Sequence, residues 1–228
     1  MSRIMLTALG LCAVATAAAP TRAPVLVELF TSEGCSSCPP ADQVLAALDS
    51  QAIVLGEHVD YWDHQGWRDR FSSHSNTLRQ ETYARHLGIE GPYTPQMVID
   101  GAAEFNGSDK KRAHEEIANR ARGKSEIRLA RAAAGLEINI DPVPHAADVM
   151  LALVQPSADS QVAGGENKGR SLRHVAILRS LRKVGTAKKG SGFHQTVELP
   201  ADAASGRAVV FVQESDQGKV YGAALLEF

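Results

Sequence analysis

Cysteine is scarce in this 228-residue chain: there are three, and Cys12 stands in an apolar leader expected to be removed. A framework of several disulfides is excluded by that count. No apolar run reaches the roughly 18–20 residues needed to cross a bilayer as a helix. Formal net charge is only −2, with both signs spread along the chain, so there is no electrostatic case for nucleic acid or an anionic membrane as partner. Aromatic residues make up 5%, and several of those few are concentrated between Tyr61 and Tyr83. Internal repeats and long low-complexity tracts are missing too. Lys188 to Gly192 is a short polar loop.

The leader itself has the signature of export. Arg3 supplies a positive charge, Ile4 to Ala15 is apolar, and Thr16-Ala17-Ala18-Ala19 offers small residues for cleavage. Pro20 and Pro24 follow two of the candidate sites and hinder cutting there, which favours cleavage after Ala17 or Ala18. The expectation is a signal peptide over residues 1–18 and a periplasmic or secreted protein. Leu11, before Cys12, is not the small residue that a lipid-anchored cysteine follows. Roughly 210 residues then remain, enough for one large or two small domains.

Two cysteines survive in that mature chain, as Cys35-Ser36-Ser37-Cys38. With no other thiol available, each can oxidise only against the other. Zinc commonly takes four nitrogen or sulfur ligands, and a disulfide closing so small a loop restrains the unfolded chain little. Reversible dithiol chemistry is the economical reading, beside a metal half-site and an inert local disulfide.

The surrounding pattern is that of a βαβ unit. Pro24 to Phe30 is a nearly continuous apolar run, as in a strand buried on both faces. Val44, Leu45, Ala47 and Leu48 recur at helical spacing after the C-x-x-C, and Ala52 to Asp60 reads as a second buried strand. A helix is predicted over Ser75 to Leu87 with Gly88 as its stop. Gln96 to Gly101 forms a strand ending in an Asp-Gly turn, Ala102 to Phe105 returns antiparallel to it, and Ser108-Asp109 caps a helix running to about Arg122. After Gly123 the pattern changes to short strand-like runs from Ile127 to Leu226, separated by Gly, Pro, Asn and Asp. That spacing predicts a second, all-β domain, sandwich-like, packed closely on the first because Gly123-Lys124-Ser125 leaves little linker. The expected fold class is therefore α/β over 24–122 followed by a β-sandwich over 125–228.

Cys35 follows a strand and precedes a helix, a position where dipole and free backbone N–H groups lower a thiol pKa. Cys38, one turn on, is placed to resolve a mixed disulfide. Pro39-Pro40 lacks two N–H donors and predicts a less regular turn around the sulfurs. Ser36-Ser37 carries no charge, so neither a strongly oxidising nor a strongly reducing potential follows from it. His58, Asp60, Asp63 and His64 have metal-ligand chemistry, against which stands their reading as hydrogen-bonded packing at a strand end. Trp62 and Trp67 read as packing or as a rim for partner binding.

The stretch Val25 to Asp42, containing Glu28-Leu29-Phe30-Thr31-Ser32-Glu33-Gly34 and the C-x-x-C, together with His58 to Asp63 and Tyr93 to Gly101, resembles a family of secreted bacterial thioredoxin-like proteins catalogued as a domain of unknown function. The resemblance implies a thioredoxin-like N-terminal domain with Cys35 and Cys38 as its redox pair. It further implies that Thr94-Pro95 is the loop whose proline is cis and lies against the sulfurs. Glu28 falls near the buried acid that serves the resolving cysteine in thioredoxins. It is one residue farther from the C-x-x-C than that acid, and it is Glu where Asp is usual; its other reading is a strand-end carboxylate, paired or solvated. Glu33-Gly34 replaces the tryptophan that often precedes the pair, which implies a different mode of docking.

The function expected is an exported thiol–disulfide oxidoreductase acting on protein thiols or disulfides, with Cys35 as nucleophile, Cys38 as resolver, Pro95 on the substrate side and no cofactor or resident metal. Two alternatives stand beside it. One is a copper-handling chaperone using the same thiolates and a nearby histidine, since soft thiolates select Cu(I). The other is a binding module whose C-x-x-C is a fixed disulfide and whose β domain does the recognition.

Overall fold

A computed structural model describes residues 24–133, 135–200 and 206–228; the leader, its cleavage sites and Cys12 lie outside the described residues. The chain begins with β1 (Leu26–Thr31), α1 (Pro39–Leu48), β2 (Ile53–His58), α2 (His74–Leu87), β3 (Gln96–Ile99), β4 (Ala103–Asn106) and α3 (Lys110–Arg120). Local chemistry accounts for these bounds. Ser73 accepts from the Ser75 N–H at the start of α2, and Gly88 closes that helix in the left-handed region at φ 70°. Asp109 accepts from the Arg112 N–H to start α3. Asp100 and Gly101, at φ 52° and 62°, supply the two positive angles that a tight β3–β4 hairpin requires. β1 and β2 run parallel through the α1 crossover, and both are buried on each face, hence their largely apolar character, with Glu28, Thr31, Glu57 and His58 as buried polar exceptions.

The remaining strands are β5 (Ile127–Ala132), β6 (Gly135–Ile140), β7 (Ala147–Gln161), β8 (Ser171–Ala187), β9 (Phe193–Val197), β10 (Arg207–Gln213) and β11 (Val220–Glu227). They do not build the separate sandwich that their pattern predicts. Four of them join the N-terminal strands in one mixed eight-stranded sheet of order β11-β10-β7-β8-β2-β1-β3-β4, and β5, β6 and β9 form a small second sheet. This corrects the expected fold class: the described residues are mostly β, with three α-helices set around a large curled sheet, and do not form a thioredoxin-like α/β domain followed by a sandwich. The small sheet lays Leu136, Ile138 and Ile140 on Val149, Leu151, Val210 and Val212 of β7 and β10. Val209 and Phe211 of β10 point the other way into the main core, which is why residues 208–212 are apolar at every position.

The junction between the two halves of the sheet is narrow. β8 pairs in parallel with β2 at Gly56 and Ile177. A Cβ on Gly56 would stand 3.0 Å from the Val175 carbonyl oxygen, so only glycine admits β8 at that approach without backbone movement. Gly56→Val is expected to lower stability by about 1–3 kcal/mol in urea unfolding; an unchanged midpoint would show that β8 does not depend on this contact. Beyond the junction, Ala176 adopts φ 49°. From there the outer halves of β7 and β8 continue as a hairpin, and β8 packs against α1.

Candidate functional site

The loop between β1 and α1 is a sequence of short turns. The Cys35 N–H donates to the Ser32 carbonyl at 3.2 Å, and the Cys38 N–H to the Cys35 carbonyl at 3.2 Å. Cys38 is helical in conformation and precedes a helix whose first two residues are prolines. The expected irregularity does not arise, because an N–H at those positions would have no helical partner anyway. Both Ala41 and Asp42 donate their N–H to the Cys38 carbonyl. Cys35 and Cys38 form a disulfide with Cα atoms 5.4 Å apart. The Cys35 Sγ lies 3.3 Å from the Ser37 hydroxyl, and both cysteines are fully buried.

Beneath the disulfide lies a cluster of buried polar side chains. Glu33, 0% exposed, donates its N–H to Asp69 Oδ2 (2.9 Å) and accepts from the Trp67 indole (2.7 Å). Its other oxygen is 3.3 Å from His174 Nε2. Asp42 accepts from the Thr31 hydroxyl at 2.9 Å, and its second oxygen is 3.8 Å from His174 Nδ1. His174 thus stands between two carboxyl groups, edge-on to His58 at 4.7 Å, while His58 pairs with Asp69 at 2.6 Å. Burial pushes the Asp42 carboxyl up to about 7, against the opposing pull of His174 and the Thr31 hydroxyl. Burial also raises Glu33 and Asp69, but there it is outweighed. The adjacent His174 imidazole and Ser160 hydroxyl, with the hydrogen bond from Trp67, hold Glu33 below its ordinary range, and the close His58 imidazole does the same for Asp69. Asp42 is four residues after Cys38, one turn along the same helix face. It is the carboxyl in this cluster suited to exchanging a proton near neutral pH.

The tip of the β7–β8 hairpin closes over the same turn. Asn167 is fully buried, and its amide donates to the Glu33 carbonyl (2.9 Å) and the Cys35 carbonyl (2.8 Å). Glu166 accepts from the Ser36 N–H at 3.0 Å. Arg170 donates to Asn167 Oδ1 at 2.9 Å, fixing the amide's orientation. Gly164 packs so closely on the Gly66 carbonyl that a Cβ there would collide with it. Beside the hairpin, Ser36, Pro39, Pro40, Gln43, Arg170 and Leu172 line an open cleft of about 430 Å³.

The other residues singled out from the sequence are dispersed. Thr94-Pro95 is a cis bond, and Pro95 flanks Gly107 together with Ala41 of α1 and Leu29 of β1. The Thr94 hydroxyl accepts from the Trp62 indole at 2.9 Å, so both tryptophans tie the aromatic loop to the site's framework. Glu28 is elsewhere. It accepts from Arg79 Nε (2.7 Å) and the Tyr83 hydroxyl (2.6 Å) of α2, whereas Leu29 and Thr31 face α1, so Glu28 lies across the sheet from the helix that follows the cysteines. The buried acid one turn along the helix from Cys38 is Asp42. Of the metal-type quartet, His58 pairs with Asp69, Asp60 accepts from Thr77, Asp63 from Ser72, and His64 is exposed. No group of three or more His, Cys, Asp or Glu among the described residues is arranged to hold a metal ion. For Asp42 the signal in the sequence is its spacing of four residues from Cys38. His174, Glu166 and Asn167 left no local signal, being more than 125 residues from the cysteines.

Residues 26–213 match the family described as "Protein of unknown function (DUF1223)". A crystal structure of protein AGR_C_4864 from Agrobacterium tumefaciens is 30% identical, with 92% of this chain and 96% of that one covered at a TM-score of 0.79. HBP35 of Porphyromonas gingivalis, 14% identical with 91% and 76% covered, has a TM-score of 0.61 and so shares the fold alone. Among curated proteins, none matches. A family match across most of the chain, and a relative of this identity aligned nearly end to end, place the protein in the DUF1223 family.

Proposed function

We propose that this protein is an exported thiol–disulfide oxidoreductase that exchanges electrons with protein thiols through Cys35 and Cys38. The observation that carries the reading is the disulfide's setting, at the start of α1 and above the buried Glu33–His174–Asp42 cluster. A bridge across two intervening residues adds little stability, and burying acids and imidazoles beneath it costs free energy that an inert crosslink would not require. In the exchange, an incoming thiolate forms a bond to the Cys35 sulfur and the Cys38 sulfur departs as a thiolate. A protonated Asp42 would neutralise the charge appearing at Cys38; in reverse, it would take the thiol proton before Cys38 attacks. The export leader supports the compartment, where a protein dithiol has partners.

Two variants test this. Cys38→Ser is expected to accumulate mixed disulfides with exported proteins, and Cys35→Ser to accumulate none, as read on non-reducing gels of periplasmic extract. Wild-type protein should also reduce insulin or reactivate scrambled ribonuclease. A protein that traps nothing, turns over neither substrate, and holds its bridge at a potential below about −300 mV would instead carry a fixed disulfide.

A further inference from the structure

The disulfide proposed to react is completely covered. Cys35 and Cys38 have no exposed surface, while Ser36 and Ser37 between them are exposed. Thiol exchange requires the attacking sulfur to reach the Cys35 sulfur roughly along the S–S axis, so a closed site excludes every attacker, protein or small molecule. A segment 130 residues away is fastened to the turn that holds the two cysteines. Val162 and Arg170 close the hairpin through backbone hydrogen bonds, and the tip they enclose is attached to the C-x-x-C turn through Asn167 and Glu166. The tip is mostly glycine and small or polar side chains, with little apolar burial besides Val162. An attachment made of a few hydrogen bonds opens at much lower cost than one made by core packing.

We infer that the β7–β8 hairpin tip is a gate over the disulfide, latched by Asn167 on the Cys35 carbonyl and by Glu166 on the Ser36 N–H, and that thiols reach Cys35 only when it lifts. Asn167 is then a positioning residue, acting through the turn it holds. Arg170 belongs to the latch, because its hydrogen bond orients the Asn167 amide toward the two carbonyls. It also lines the open cleft, so a partner engaging that cleft would meet the latch before it meets the sulfur. The inference rests on the redox reading for its biological purpose, but its physical content is access and is measurable without any partner.

The test is the rate at which a small dithiol, dithiothreitol, reduces the bridge in the full-length mature protein. Its first sulfur bonds to Cys35 and expels the Cys38 thiolate; its second then closes the oxidised ring and releases the Cys35 thiolate. Asn167→Ala and Asn167→Asp both lose the two-carbonyl clasp, and each is expected to speed reduction about tenfold or more. Glu166→Ala should give a smaller gain, and Glu166→Gln, which keeps an acceptor for the Ser36 N–H, should stay near wild type. Arg173→Ala, lower on the same hairpin and exposed, is the control expected to change nothing. A gate accelerates reduction and reoxidation together, so the dithiol exchange constant should stay within about threefold of wild type. Unchanged rates in folded Asn167 and Glu166 variants, or a rate gain matched entirely by a changed constant, would overturn the gate. If Asn167→Ala does not fold, the Glu166 pair decides alone. The gate survives if these rates rise while wild-type protein fails on insulin and traps no partner; that result would instead remove the oxidoreductase reading.

Discussion

Arg79→Met should destabilise the protein by about 3–5 kcal/mol at neutral pH, the loss expected when one partner of a buried ion pair is removed. Arg79 is 6% exposed and Glu28 and Glu57 are 0% exposed, so these ionisable groups share one buried site with the Tyr83 hydroxyl. Arg79 donates to Glu28 and lies 3.6 Å from Glu57. Burial, with the neighbouring Glu28 charge adding to it, pushes the Glu57 carboxyl well above its ordinary range, which leaves one cation facing one anion. Removing the cation strands Glu28. Glu28→Gln combined with Arg79→Met should recover most of the loss, because no charge is left unpaired. Arg79 also donates to Gln213 of β10 at 3.0 Å, so α2 is tied to a strand from the far end of the chain. Urea unfolding of the variant should therefore show one transition by both fluorescence and circular dichroism. A loss under 1 kcal/mol, or no recovery in the double variant, would show that the pair is not what holds this site.

How much of this arrangement the sequence discloses depends on distance along the chain. The order of elements through α3 follows from local signals: apolar runs at β1 and β2, Gly88 ending α2, Asp100-Gly101 turning the hairpin, Asp109 starting α3. Strand positions after Gly123 are legible in the same way, but strand partners are not. Continuous apolar runs at 149–154 of β7 and 208–212 of β10 state that both faces are used without stating which sheet is joined, and the decisive contact is a bare Gly56 that admits β8. The outer hairpin was hidden for a second reason. Ser157 to Gln161 and Ser171 to His174 are largely polar, so β7 and β8 read as shorter strands than they are, and the missing length is the part that carries the hairpin tip to the cysteine turn. Glu28 misled because a buried acid on β1 is compatible with either face of the sheet, and a single residue of offset decides between α1 and α2.

The carboxyl one helical turn after Cys38 gives the second large effect: Asp42→Asn should stabilise the protein at pH 8 by about 2–4 kcal/mol while slowing thiol exchange. The sign follows from the proton balance. Asp42 titrates at about 7 in the folded protein, against about 3.9 for an unfolded aspartate. Between those values the folded state binds the extra proton. Wild-type stability from this group is therefore greatest below about pH 4 and falls as pH rises through 7, where the buried carboxylate must ionise. Asparagine removes that cost and keeps an acceptor for the Thr31 hydroxyl, so its advantage should fade as pH is lowered toward 4. If Asp42 serves Cys38 as the proposed proton donor and acceptor, the same exchange should slow reduction by dithiothreitol at least about tenfold near neutral pH. Thermal and urea unfolding from pH 5 to 8, paired with reduction rates over that range, measure both. A variant more stable and slower marks Asp42 as a residue kept for the reaction at the expense of the fold. Parallel stability profiles for variant and wild type would show that Asp42 is already ionised at low pH, and an unchanged rate would separate it from the chemistry of the sulfurs.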